Sequence, residues 1–441
     1  MSAETVAAPP AETVPLTPEQ RAILLEALNE GPSAYAVQVR CEFGRFDPEL
    51  FQEAWARTVS RHSALRMKVS WRGRSRPEQT VLPEPLTAVR SAHLKGADRE
   101  TTRRLAMKLF DEQFEREVDL EADRLVTPFA VHSDEAAYVC WTTHHLVLDG
   151  LSSRLLLADV AEEYDALLAG EARRAPDPGS FADFVRWRLA RTAASAPGPA
   201  PQRRAEPAPA PELADVISAG PAPGVSRRFV KEFPAGLTAR MRAFARREGV
   251  TAAALFHAAW ALADAEATGR ARARLGIAGY GRPPEAPGTA SMLGMFTVTH
   301  PLTVALPPEA SLPDWLAGFQ RDMVASWNDR GPEAGGLSGA PVVVVSHYPP
   351  LETFTGPRTG VTVELLDVVD RTPHPIVATV FIADPAMVVL NINGIEPRPG
   401  APDRLVDRVF ALLSRITGDR GPETTTVGDL IAPPAASGTR E

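Results

Sequence analysis

The sharpest local feature of the sequence is Thr143-His144-His145-Leu146-Val147-Leu148-Asp149-Gly150, two adjacent histidines followed at fixed spacing by an acid and a glycine. The residues before it, AYVCWTTHH from Ala137 to His145, are rich in β-formers and free of Gly and Pro, so they read as a buried strand. Strand alternation sends successive side chains to opposite faces, so one histidine faces a cavity and its neighbour the packed interior. An imidazole titrating near about 6.5 is partly neutral at pH 7 and can take a proton from an attacking amine or alcohol. Gly150 breaks the strand, and a helix is predicted from about Ser152 to Leu168, stopped by Gly170. Its first turn offers backbone N–H groups and a positive dipole end where negative charge would develop. Two plainer readings stay open. A histidine at a strand end is often only a hydrogen-bonded packing residue. His145 and Asp149, four apart, could also ligate zinc, although no further HxH, HxxxH or cysteine cluster completes a shell.

The elements that must position this cluster belong to a chain of 441 residues, long enough for two or three lobes. With 44% hydrophobic and 23% charged residues the composition is that of a globular protein, which excludes wholesale disorder and fibrous architectures. A formal net charge of −8 argues against a nucleic-acid partner. Cys41 and Cys140 are the two cysteines, far apart, so neither a disulfide framework nor a CxxC pair is present. The N-terminus lacks the basic and apolar regions of a secretory signal, and no apolar run approaches the roughly 20 residues that span a bilayer. The expected setting is therefore the cytoplasm, without membrane contact.

Along the chain, residues 1–15 are Ala/Pro/Glu/Thr-rich and read as a disordered tail. Thr17-Pro18-Glu19-Gln20 is a capping box that opens a helix, YAVQVRCEF (35–43) alternates as a strand, and Asp47-Pro48 opens a helix with Phe51, Trp55 and Val59 on its apolar face. Eight prolines between Thr192 and Ser226 mark a linker, so the predicted division is an N-terminal lobe at 16–191, a linker at 192–226 and a C-terminal lobe at 227–441. Helical patterns follow at Leu237 to Glu248, Thr251 to Thr268 and near Arg404 to Ile416, with strand-like blocks at PVVVVSHY, VTVELLDVV, IVATVFIA and AMVVLNI. Each half is mixed α and β. No GxSxG elbow, GxxxxGK loop or HExxH helix occurs.

These blocks together resemble a known family. His144 to Gly150 matches the HHxxxDG signature of the condensation domains of non-ribosomal peptide synthetases, within the chloramphenicol-acetyltransferase-like acyltransferases. LTPEQRAILL (16–25) is similar to the family's opening motif, RHSALRMKV (61–69) to its RHxxLR block, FADFVRW (181–187) to YxDFxxW, and GYGRP (279–283) with LGMFTVTHPL (293–302) to its glycine-rich and GxFxNTxP blocks.

The resemblance implies an α/β (α+β) fold of two acetyltransferase-like lobes in a V-shape with a tunnel between them. A phosphopantetheine arm on an acyl or peptidyl carrier protein would deliver the donor, and a small-molecule or carrier-bound amine or hydroxyl would accept it. It further implies that His145 is the catalytic side chain, that His144, Asp149 and Gly150 are structural, and that Asp149 pairs with Arg282 or Arg66. No bound metal or redox cofactor is called for. Departures fall in the C-terminal half: Val298 stands where the family has Asn, Thr303 replaces a common Arg, and WNDRGPE (327–333) echoes the QDxPFE block only faintly. The expected product is a free-standing condensation enzyme; the rivals are an acyl-CoA-dependent acyltransferase of the same superfamily and a non-catalytic recruitment domain. From Arg186 to Arg282 the chain carries 16 Lys/Arg against 7 Asp/Glu, a local +9 that leaves −17 elsewhere. Arg227, Arg228, Arg242 and Arg246 are accordingly candidate docking residues for an acidic carrier.

Overall fold

The computed structural model describes residues 11–83, 87–116, 118–194, 212–286, 288–328, 340–348, 353–383, 386–418 and 424–431. In chain order the first half contains β1 (Glu12–Pro15), α1 (Pro18–Glu30), β2 (Ala36–Phe43), α2 (Pro48–Arg61), β3 (Met67–Ser70) and β4 (Glu78–Val81). It continues with β5 (Arg90–His93), α3 (Arg99–Phe114), β6 (Thr127–His132), β7 (Ala137–His144), α4 (Gly150–Leu168) and α5 (Phe181–Ala194). The second half begins with α6 (Leu213–Ile217), β8 (Ser218–Glu232), α7 (Leu237–Glu248), α8 (Ala252–Thr268), β9 (Arg272–Tyr280), β10 (Thr297–Ala305) and α9 (Leu312–Asn328). It ends with β11 (Val342–Ser346), β12 (Thr353–Thr355), β13 (Thr362–Asp370), β14 (Ile376–Phe381), β15 (Met387–Pro397), α10 (Ala401–Ile416) and α11 (Val427–Ile431).

Local chemistry accounts for the helix starts. The Thr17 hydroxyl accepts from the Gln20 amide while the Gln20 side chain accepts from the Thr17 amide, a closed capping box with Pro18 just inside the helix. Asp47 caps α2 by accepting from Glu49 and Leu50, and the predicted face of Phe51, Trp55 and Val59 is buried.

The chain forms two compact units. The first draws on the described residues of Met1–Ala196, Tyr280–Thr297 and Leu351–Pro373, and the second on those of Pro197–Gly279, Val298–Pro350 and His374–Glu441. The first unit holds a six-stranded sheet in the order β12-β13-β2-β7-β6-β5 and a small sheet β1-β4-β3. In its centre β2 and β7 run antiparallel, with Ala36 opposite His144, and both are buried on both faces. The second unit holds a sheet in the order β10-β9-β11-β14-β15-β8, covered by α8, a helix apolar on every side and correspondingly buried.

Three expectations change here. Residues 12–15 are not a disordered tail: they form β1, paired with β4 from Glu12 opposite Val81 to Pro15 opposite Glu78. The Pro-rich stretch is not linker to Ser226, because Leu213–Ile217 is helical and Ser218–Glu232 forms an edge strand on β15. An edge tolerates Pro221 and Pro223, and the register shifts at Asn393/Ile395 absorb the kinks. Residues 195–211, where the linker was expected, lie outside the described residues. Finally, the division is not sequential, since 280–297 and 351–373 return to the first unit.

Candidate active site

The site is built on the end of β7 and the turn into α4. β7 stops at His144, whose ring is fully buried. The Leu146 amide donates to its Nδ1 at 3.0 Å, so that nitrogen carries no proton, and Nε2–H donates to the Ala34 carbonyl at 2.7 Å. Burial, with the neighbouring His145, pushes the His144 pKa down to about 3. The ring is a neutral packing element.

His145 lies one residue past the strand and differs in every respect. Its amide still reaches across to the Tyr35 carbonyl at 3.0 Å, continuing the ladder, but its side chain keeps 16% exposure. Nδ1 lies 3.0 Å from the Leu148 carbonyl, which fixes the Nδ1–H tautomer and leaves Nε2 as the nitrogen available for chemistry. Nε2 is 3.4 Å from both carboxylate oxygens of Asp370 at the end of β13. Burial works to lower the His145 pKa, but the charge and hydrogen bond of Asp370 outweigh it, so the net direction is upward from 6.5. The ring of Tyr35 stands edge-on to His145 at 6.1 Å between centroids. Tyr35 takes a left-handed φ of 71°, the one positive value among the described non-glycine residues, and its hydroxyl is held by Glu26.

Asp149 is buried and caps α4, its Oδ1 accepting from the Ser152 amide at 2.7 Å. Its Oδ2 accepts from the amides of Phe296 and Thr297 at 3.0 and 3.1 Å, so the carboxylate is spent on backbone rather than turned toward His145 as a second ligand. Of the two arginines expected beside it, Arg282 is the partner: Nη2 lies 3.6 Å from Oδ1 and donates to the Ser152 hydroxyl at 2.7 Å. The guanidinium sits 3.9 Å above the Phe296 ring. Arg66 is not the partner. It donates instead to the Leu82 carbonyl at 2.7 Å. Gly150 is the first residue of α4, with open space where a Cβ would stand.

The other motif blocks support this centre. Arg61 and His62 converge on Asp159 of α4, joined there by Arg173 at 2.7 Å, so the RH pair of RHSALR ties α2 to α4. A Cβ on Gly294 would fall 2.2 Å from the Phe181 ring, which explains why LGMF carries glycine where FADFVRW packs. Val298 is buried at the start of β10, and most of WNDRGPE lies outside the described residues. Arg227 and Arg228 are exposed on β8 and Arg242 and Arg246 exposed on α7, all in the second unit. Arg227 pairs with Glu396 at 2.6 Å and Arg242 donates to the Ile382 carbonyl at 2.7 Å.

Asp370 and Tyr35 also face His145, and neither stands in a motif that marks it as a site residue. Asp370 is 225 positions from His145 and sits in VELLDVVD with two other acids, Glu364 and Asp367, and nothing local to mark it. Only the pairing of β13 with β2, which sets Asp370 opposite Val37, brings it to the histidine.

A family model described as condensation domain matches residues 10–338. A linear gramicidin synthase of Brevibacillus parabrevis is 25% identical over 426 residues, covering 91% of this chain and 5% of that protein. Chondramide synthase cmdD of Chondromyces crocatus is 28% identical over 396 residues, covering 80% of this chain and 9% of that protein. The chain thus spans under a tenth of the length of these curated relatives. Among solved structures, the first condensation domain of the calcium-dependent antibiotic synthetase, in complex with a substrate analogue, is similar with a TM-score of 0.72 at 19% identity, covering 95% of this chain and 98% of that one.

Proposed function

The chain belongs to the condensation-domain family, and from that premise we propose that it is an acyltransferase joining a phosphopantetheine-bound acyl thioester to an amine or hydroxyl acceptor. The observation that carries this reading is the split between the two histidines: His144 has both nitrogens engaged, whereas His145 offers Nε2 from a ring oriented by Leu148. In the proposed reaction Nε2 takes the proton of the acceptor as its lone pair attacks the thioester carbonyl carbon. The tetrahedral adduct collapses, the C–S bond breaks, and the pantetheine thiolate recovers the proton from His145. Asp149 and Arg282 hold the turn that presents His145 and move no proton. Carrier proteins are the proposed source of the donor, with Arg227, Arg228, Arg242 and Arg246 as the proposed docking surface.

Incubation with acyl-loaded carriers and a panel of nucleophiles, read by mass spectrometry, tests this. An amide or ester product is expected, and a folded His145→Ala variant should lose about 10²- to 10⁴-fold in rate, the range typical of a positioned acid–base group. Near-normal turnover in that variant would remove His145 from the mechanism, and its absence in the native protein with every loaded carrier and nucleophile would favour a recruitment role.

A further inference from the structure

Asp370 has no part in the chemistry proposed above, yet the sheet holds it firmly at the reaction centre. It ends β13 opposite Val37, and the next residue is locked on both sides: Arg371 donates its amide to the Ala36 carbonyl at 2.9 Å and accepts from the Tyr35 amide at 2.6 Å. The Arg371 guanidinium donates to the Phe114 carbonyl at 3.1 Å and pairs with Glu115, so it is engaged elsewhere. Both Asp370 oxygens lie 3.4 Å from His145 Nε2, and Oδ1 is buried without a hydrogen-bond donor of normal geometry among the described residues. A buried carboxylate oxygen lacking a donor is costly and calls for explanation.

We propose that Asp370 is the seat for the acceptor's ammonium group, and that occupying it turns His145 from the partner of a carboxylate into a free base. The proposal rests on the reading that His145 activates the acceptor. With Nδ1–H committed to Leu148, the ring meets Asp370 through Nε2, and in the empty site that contact favours a proton on Nε2. Of the other charged or titratable groups facing His145, Asp149 acts in the same direction but more weakly than Asp370. Asp149 is spent on backbone amides and Arg282, His144 is neutral, and Tyr35 presents its ring edge while Glu26 holds its hydroxyl. The upward direction of the His145 pKa, against the effect of burial and with Asp370 as the leading opposing cause, agrees with this geometry.

An ammonium brings three N–H donors. It can satisfy Oδ1 and Oδ2 of Asp370 while directing a third proton to Nε2. As it replaces the imidazolium as counter-ion, His145 releases its proton to solvent. The ammonium then gives one proton to Nε2, the resulting amine attacks the carbonyl carbon, and the C–S bond breaks. The second N–H proton passes through Asp370 to solvent, while the proton on Nε2 goes to the thiolate. Ammonium and thioester become amide, thiol and one released proton. A hydroxyl acceptor carries no charge and leaves the Asp370–His145 pair in place, so the seat selects amines.

The test labels the histidines of the full chain and follows the His145 ring by NMR. In the native protein it should titrate above 6.5, and in Asp370→Asn about one unit lower, equivalent to a tenfold change in proton affinity; Asp370→Glu should restore the native value. Glycyl-pantetheine at pH 7 should drive the native ring to its neutral form, whereas glycolyl-pantetheine should not. In turnover, Asp370→Asn should lose about tenfold or more in kcat/KM with the amine and little with the hydroxyl acceptor. An unchanged titration in a folded Asp370→Asn protein, an equal response of the ring to both pantetheines, or an equal loss with both acceptors overturns the proposal. The NMR measurements need no donor, so they decide this point even where the acyltransferase reading itself fails.

Discussion

A protonated His144 would turn a second N–H against the Leu146 amide, which already donates to Nδ1, and both donors would be left buried without an acceptor. That is why this ring stays neutral through the physiological range while His145, one residue on and facing Asp370, titrates above 6.5. Removing the His144 ring orphans the Leu146 amide and the Ala34 carbonyl, so His144→Ala should cost about 2 to 4 kcal/mol in denaturant unfolding, from a buried polar group left unpaired on each side. The cost is expected in stability, with any loss of rate following from the displaced turn. A His144→Ala protein as stable as the native one would contradict the packing role. The contrast between the two histidines was legible in the sequence, because strand alternation alone assigns them to different surroundings. The choice of arginine for Asp149 was not, since Arg66 and Arg282 each sit in a motif block distant from it in sequence and only packing against Phe296 and Ser152 separates them.

At the scale of elements, α4 acts as a clamp with a carboxylate at each end. At its start Asp149 accepts from the Phe296 and Thr297 amides and so fastens the returning segment 280–297. Near its end Asp165, fully buried, accepts from the amides of Arg358 and Thr359 at 3.0 Å each and from the Thr359 hydroxyl at 2.6 Å, which fastens 351–373. Gly356 fits against this carboxylate, since a Cβ there would lie 2.3 Å from Asp165 Oδ1. One clamp delivers Arg282 to the turn beneath His145 and the other anchors the hairpin whose last residue is Asp370. Truncating either acid leaves buried donors unpaired, and Asp149→Ala and Asp165→Ala should each lose about 3 to 5 kcal/mol of stability, read as a lower Tm. Burial tends to raise the Asp165 pKa, but the Thr359 hydroxyl and the two amides outweigh it and the net direction is down from 3.8. A carboxylate held low in the folded state stabilises above its unfolded pKa and loses that contribution as pH falls below about 4. Native protein should therefore lose stability on acidification more steeply than Asp165→Asn, and parallel acid curves would contradict the clamp. Helix starts such as Thr17 and Asp47 were legible because capping is local, whereas β1 and β8 were not: both are edge strands whose prolines read as loop until a partner strand is known.

At the scale of the whole molecule, a sequence reading that divides the chain at its proline-rich stretch cannot see that two later segments return to the first unit, because such a return leaves no compositional mark. Charge is better preserved between the two views, though the structure alters its weight. Several arginines of the basic stretch are already matched: Arg186 with Glu12, Arg188 with Glu19, and Arg270 and Arg274 with Glu212. Arg227 is likewise matched by Glu396 on the neighbouring strand, so reversing its charge would disturb the β8–β15 edge as well as any docking surface. Arg246, exposed on α7, is the cleaner probe. If an acidic carrier delivers the donor, its association is steered by charge and is screened beyond about 8 Å at physiological ionic strength. The apparent KM for a loaded carrier should then rise with added salt, and Arg246→Glu should raise it at low salt while kcat at saturation changes little. A coenzyme A thioester presents the same pantetheine arm without the carrier's surface, so its KM should respond to neither salt at this surface nor the Arg246 reversal. Equal kcat/KM for the two donors, with Arg246→Glu silent toward both, would transfer the donor assignment from carrier to coenzyme A and leave the basic stretch as solvated helix and edge-strand surface.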